Sequence, residues 1–302
     1  MIGFTVIGGY LGAGKTTALN RLLAGCEGRR LGILVNDFGA INIDADLVES
    51  RSDARINLTN GCICCSLAGG FAEAVDELLS IEPPLDHIVV EASGVADVHQ
   101  LAQYGRAPGL RLDGVLVVAD AETLLQKVED RYVGTTVRRQ LASADLILLN
   151  KVDLIEPADV ADRLHWLRTH APAALVIPCT RCDVPVDLLL GVYPDHDRNL
   201  LNADHAQYVS WSVEYPWPVE RRQLERFCGS LGSEVVRAKG TVGRSDGVGL
   251  VLQVVGRRVE IHPLESAPPG TRLVAIGLAG QLDPAALDRL AREHLCSVVT
   301  RV

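Results

Sequence analysis

Near the start of the chain, Gly9-Tyr10-Leu11-Gly12-Ala13-Gly14-Lys15-Thr16 spells G-x-x-x-x-G-K-[ST] in full. Glycines at these places let successive backbone N–H groups turn inward around a polyphosphate, and a helix opening at the lysine adds the partial positive charge of its N-terminus. Lys15 then reaches the β and γ phosphates and the Thr16 hydroxyl ligates Mg²⁺, with Gly9, Gly12, Ala13, Gly14 and Thr17 completing the cradle. The chain has four lysines against 25 arginines, so a lysine here is a selective choice. A compact ammonium on a thin stem enters a crowded phosphate loop better than a planar guanidinium does. The competing reading is a glycine-rich turn with a chance lysine; the apolar run before it and the helical pattern after it argue against that.

A second lysine lies in Leu149-Asn150-Lys151-Val152-Asp153, directly after an apolar run. There Asn150 can pair with the O6/N7 edge of guanine, while the Asp153 carboxylate accepts from N1–H and N2–H₂; adenine presents the opposite pattern, so GTP is favoured over ATP. Between these motifs stands Ile88-Val89-Val90-Glu91-Ala92-Ser93-Gly94. Glu91 at a strand tip can hold the Mg²⁺ shell or orient the attacking water, and Gly94 can bring a backbone N–H to the γ-phosphate. Taken alone, Glu91 reads better as a strand-ending acid facing solvent; beside the other two motifs it does not.

Gly61-Cys62-Ile63-Cys64-Cys65 puts three thiols within four residues. In extended backbone Cys62 and Cys64 project to one side, and a turn after Cys64 into a following helix is expected to bring Cys65 round. Thiolates at this density suit Zn²⁺, Cu(I) or, with added N/O ligands, Co²⁺, and do not suit Mg²⁺. Three protein ligands leave a coordination position open, as an exchange or catalytic site does. A redox-active thiol group and buried small hydrophobes are the other readings. Cys179 and Cys182 form a separate C-x-x-C with no assigned role, and the eight histidines are dispersed.

These motifs need a scaffold that collects strand ends. Continuous apolar runs at Phe4–Ile7, Leu31–Val35, His87–Val90, Gly114–Ala119, Leu146–Leu149 and Leu175–Ile177 read as strands covered on both faces. Helical patterns near Lys15–Leu23, Gly70–Leu79, Thr135–Ala142 and Ala158–Thr169 alternate with them. The expectation is an α/β P-loop fold with a doubly wound, mostly parallel sheet over residues 1–184, then a weakly structured linker over 185–205. A smaller α+β domain is expected over 206–302, with strands Tyr208–Val213 and Gly249–Val254 and helices near Val219–Leu231 and Pro284–His294. At 302 residues, 48% hydrophobic and 22% charged, the chain reads as globular. A net charge of −9 and few aromatics argue against a nucleic-acid partner. No apolar run is long enough for a membrane span. The N-terminus reads as a first strand without a basic leader, which points to the cytoplasm, where clustered cysteines bind metal or do redox chemistry.

The phosphate loop, Glu91-x-x-Gly94, Asn150-Lys151-x-Asp153 and Gly61-Cys62-Ile63-Cys64-Cys65 together resemble the CobW-type subgroup of the G3E P-loop GTPases, proposed metallochaperones. Arg237-Ala238-Lys239-Gly240 is similar to the R-x-K-G element of that family's C-terminal domain, so the resemblance spans nearly the whole chain. It implies that Cys62, Cys64 and Cys65 bind a transition metal, zinc first and cobalt next, and that GTP binding and hydrolysis gate its transfer to a client metalloprotein. Asn36-Asp37-Phe38-Gly39-Ala40-Ile41-Asn42-Ile43-Asp44 resembles the family's switch I, usually N-E-F-G-E-x-G-I-D. Asp37 then joins Lys15 and Glu91 as a catalytic residue, while Ala40 replaces the second acid and Asn42 the glycine. A nucleotide- or metal-dependent dimer is also in keeping with the resemblance. The alternatives are a nucleotide-dependent regulator whose cysteines sense redox state and, less well matched to the guanine motif, a P-loop kinase.

Overall fold

The computed structural model describes residues 1–26, 28–35, 48–51, 55–58, 63–66, 70–190, 208–264 and 266–296. Two compact units divide the chain, Met1–Leu190 and Gly191–Val302.

The first unit is built on strands β1 (Ile2–Gly8), β2 (Leu31–Val35), β3 (Val48–Arg51), β4 (Arg55–Leu58), β5 (Ile63–Ser66), β6 (His87–Glu91), β7 (Leu110–Asp120), β8 (Leu146–Asn150) and β9 (Leu175–Cys179). They form one sheet in the order β3-β4-β5-β2-β6-β1-β7-β8-β9. Pairing is parallel from β5 through β9, and β3 and β4 add antiparallel strands at one edge. Around it lie α1 (Lys15–Ala24), α2 (Phe71–Leu79), α3 (Val98–Tyr104), α4 (Leu124–Glu129), α5 (Gly134–Ala142), α6 (Pro157–His170) and α7 (Val186–Leu190). Central strands bury both faces, as at Leu31–Val35 and Leu146–Asn150, which is why they read as unbroken apolar runs. Every parallel strand therefore delivers its C-terminal residue to the same edge of the sheet, where ligands of open α/β folds bind.

The second unit is a five-stranded antiparallel sheet, in the order β10 (Tyr208–Tyr215), β14 (Thr271–Leu278), β11 (Val235–Gly243), β12 (Gly249–Val255), β13 (Arg258–Leu264). Helices α8 (Arg221–Ser230) and α9 (Pro284–Leu295) share its core through Trp211, Leu224, Phe227, Leu252, Leu273, Leu287 and Leu295.

Two expectations change. The linker expected over 185–205 begins with helix α7, whose Leu188, Leu189 and Leu190 are fully buried; the apolar Val-Asp-Leu-Leu-Leu run outweighs the Pro185 break before it. The turn expected directly after Cys64 is absent, because β5 stays extended through Ser66, pairing with β2 on one side and β4 on the other. Cys62 and Asp37 lie outside the described residues.

Candidate functional site

Strand β1 ends at Gly8, and the chain turns at Gly9 (φ 133°), Gly12 (φ 79°) and Gly14 (φ 116°) before α1 begins at Lys15. All three values lie in the region that side chains disfavour. At two of them space decides as well. A Cβ on Gly9 would lie 2.3 Å from the Val118 carbonyl oxygen, and one on Gly14 would lie 2.5 Å from Asn150 Nδ2. The loop closes on itself through Ala13 N–H to the Tyr10 carbonyl at 3.2 Å. Gly12 has nothing within reach of a Cβ, and this is the open side of the cradle.

Lys15 lies in the first turn of α1, largely buried, and its ammonium donates to the Tyr10 carbonyl at 3.4 Å. Burial lowers its pKa, and the Glu91 charge opposes that shift. Thr16 Oγ1 donates to Glu91 Oε1 at 3.1 Å, joining the helix start to the tip of β6. Burial pushes the Glu91 carboxyl up, against the Thr16 hydrogen bond and the Lys15 charge. A desolvated cation and a desolvated carboxylate sharing one edge favour a ligand that brings its own charges, as a metal-bound polyphosphate does. The hydroxyl and carboxylate oxygens are hard donors suited to Mg²⁺. Gly94 is brought against the loop, where a Cβ would lie 2.9 Å from Leu11 N, and Gln140 Nε2 holds this segment by donating to the Gly94 and Ala96 carbonyls at 3.3 and 2.9 Å.

At the end of β8 the Asn150 carboxamide is held between two loops. It is buried and bonded inside the protein. Nδ2 donates to the Ala13 carbonyl at 2.9 Å, and Oδ1 accepts the Cys182 N–H at 2.9 Å. One Nδ2 hydrogen is left for a base, so the residue is first a brace between loops. Lys151 follows with left-handed backbone (φ 64°), and its ammonium donates to Asp120 Oδ2 at 2.6 Å. Asp153 sits exposed in the 3₁₀ turn Val152–Leu154. Thr17 is exposed on α1.

The phosphate-binding loop, the β6 tip and the β8 end thus meet at one edge of one sheet. A sequence profile described as CobW/HypB/UreG, nucleotide-binding domain, matches residues 3–178. The chain belongs to this family. A second profile, the cobalamin synthesis protein CobW C-terminal domain, matches residues 208–294. A zinc chaperone CobW from Sinorhizobium is 30% identical, the match covering 94% of each chain. The zinc chaperone YjiA from Escherichia coli is 32% identical over 79% of this chain and 81% of its own. The crystal structure of Zn(II)-bound YjiA GTPase from E. coli superposes with a TM-score of 0.52 at 25% identity, covering 98% of this chain and 99% of that one.

In this CobW-family chain, sequence reasoning missed three contributors to the nucleotide edge. Asp120 ends β7 and grips Lys151. Gln140, on α5, positions the Gly94 segment. The C-x-x-C that starts at the last residue of β9, left without a role, lies against the phosphate loop, with Cys182 Sγ donating to the Gly14 carbonyl at 3.4 Å. The Cys179 hydrogen bond draws the Cys182 thiol below its ordinary pKa and pushes the Cys179 thiol up. Arg181 and Cys182 both have φ 53°, and this tight turn aims the Cys182 N–H at Asn150. Two successive non-glycine residues in that region are not legible from residue type. Among the described residues no group of three or more metal-ligating side chains converges, and no helix is long and apolar enough to cross a membrane.

Proposed function

We propose that this chain is a GTP-hydrolysing zinc chaperone, in which GTP binding and hydrolysis at the phosphate loop change how the cysteine loop holds zinc and release the ion to a client metalloprotein. The observation that carries this reading is the register across three neighbouring parallel strands. Ser66 of β5 pairs with Val35 of β2, and Val35 pairs with Glu91 of β6. The strand bearing Cys64 and Cys65 therefore ends level with the carboxylate beside Thr16, two strand spacings or about 10 Å away. A rearrangement that follows the γ-phosphate has a short path to the metal loop. The relatives' names, zinc chaperone and GTPase, support the same reading.

Each residue then has a task. Lys15 and the backbone of Gly9, Gly12, Ala13, Gly14 and Thr17 bind phosphates; Gly94 N–H faces the γ-phosphate. Thr16 and Glu91 hold Mg²⁺, which neutralises charge on the β and γ oxygens when bound. Asn150, Lys151 and Asp153 receive the guanine. Asp37 acts from the segment that responds to the γ-phosphate. Cys62, Cys64 and Cys65 hold the cargo ion, zinc in preference to cobalt.

The test is zinc affinity, measured by competition with a chromophoric chelator, with a non-hydrolysable GTP analogue and with GDP. Different affinities, with transfer to an apo-metalloprotein on hydrolysis, are expected. Equal affinities together with equal client binding overturn the coupling. Cys64→Ser is expected to lower bound zinc while leaving GTP hydrolysis in place; unchanged zinc stoichiometry moves the reading to a redox-sensing regulator.

A further inference from the structure

Strands β7 and β8 end side by side, with Asp120 paired to Asn150 and the Ala121 N–H donating to the Asn150 carbonyl at 2.9 Å. Asp120 is the last residue of β7, and its carboxylate is fixed in plane. Oδ1 accepts the N–H groups of Glu122 and Thr123 at 2.9 and 3.4 Å, leaving Oδ2 aimed at Lys151. The Lys151 ammonium meets it at 2.6 Å, with the two side chains only 32% and 11% exposed. A lysine stem has four rotatable bonds and loses rotamer freedom when it is fixed. Here the left-handed backbone at residue 151 and the Asp120 anchor fix both ends of that stem before any ligand arrives.

We infer that Asp120 is a positioning residue for nucleotide binding, acting only through Lys151: it holds the ammonium so that the aliphatic stem stands as a preformed wall of the base site. This rests on the proposed guanine-nucleotide reading of the Asn150-Lys151-x-Asp153 loop. On this inference Asp120 has no contact of its own with phosphate or metal. Its effect is confined to ligands that carry a base, and it depends on the presence of the ammonium.

The experiment is a double-mutant cycle on the full chain, reading GDP affinity and off-rate with a fluorescent GDP derivative. Asp120→Asn keeps an oxygen for the Glu122 and Thr123 N–H groups and removes the charge, and Lys151→Met keeps the stem and removes the ammonium. Asp120→Asn is expected to weaken GDP binding about tenfold in the wild-type background, the size of a lost charge-assisted hydrogen bond, and to change nothing in the Lys151→Met background. Binding of inorganic tripolyphosphate with Mg²⁺ is expected to stay the same in both. A purely structural role for Asp120 would weaken GDP and tripolyphosphate binding equally and persist beside Lys151→Met, and that result overturns the inference. Tighter GDP binding by Asp120→Asn overturns it too, by making Asp120 a competitor for the lysine. If the wild-type chain binds adenine and guanine nucleotides alike, the guanine reading has failed. If it prefers GDP and Asp120→Asn matches it, only the inference about Asp120 has failed.

Discussion

Two loops at the same sheet edge are built by different means. The loop after β1 works with its backbone: its glycines keep three left-handed turns open, and the one charged side chain it needs sits on the helix that follows. The loop after β8 works with side chains, and each is held by a residue from elsewhere: Asn150 by Ala13 and Cys182, Lys151 by Asp120. The first kind of loop fails when a side chain is added. The second fails when a partner is removed, and the partner can be far away in sequence.

The sharpest test of this contrast is Gly9→Ala. The added methyl meets the Val118 carbonyl at 2.3 Å in a conformation that side chains disfavour. Overpacking and strain together give an expected loss of about 4 kcal/mol in urea unfolding and no measurable nucleotide binding. Gly12→Ala, at φ 79° with open space around it, is expected to lose only about 1 kcal/mol, so the two glycines separate clash from backbone strain. Equal losses would mean that crowding at β7 is irrelevant. Next in size is Asn150→Ala. It leaves the buried Ala13 carbonyl and Cys182 N–H without their partner, for an expected loss of about 3 kcal/mol and phosphate binding weakened along with guanine binding. A variant that loses guanine preference while keeping tripolyphosphate affinity would return Asn150 to the simpler role of base reader. Gln140→Ala removes the donor to the Gly94 and Ala96 carbonyls and is expected to lower stability by about 1 kcal/mol. Single-turnover GTP hydrolysis should slow more than GTP affinity falls.

The same contrast explains what was legible. The first unit's parallel strands read directly, because burial on both faces writes them as apolar runs, and Leu31–Val35 is found where the pattern puts it. The phosphate loop read directly because its chemistry is local. Strands β3 and β4 did not, being short and polar, with Arg51, Arg55 and Asn57 among their few residues. Strand β13 carries Arg258, Glu260 and His262 on one alternation, and an Arg258–Glu260 ion pair at 2.8 Å serves where apolar contacts usually would. Helix α3 had a readable signal in Asp97, whose carboxylate caps His99 and Gln100 N–H groups. Asp120, Gln140 and Cys182 had none: each acts on a residue 31 to 46 positions away, and only the strand order brings them together.

Cys182 offers the finest division between backbone and side chain. Its N–H reaches Asn150, while its thiol makes a weak bond to the Gly14 carbonyl at 3.4 Å. If the brace is the peptide, Cys182→Ser keeps it. The smaller hydroxyl loses some packing in a buried site but donates more strongly to Gly14, and the two changes offset to within about 1 kcal/mol. GDP affinity is then expected to be unchanged within a factor of about two. A large loss of affinity with stability retained would show that the loop after β9 acts on the phosphate loop through its sulfur, and that the two kinds of loop share a side-chain contact as well as a backbone one.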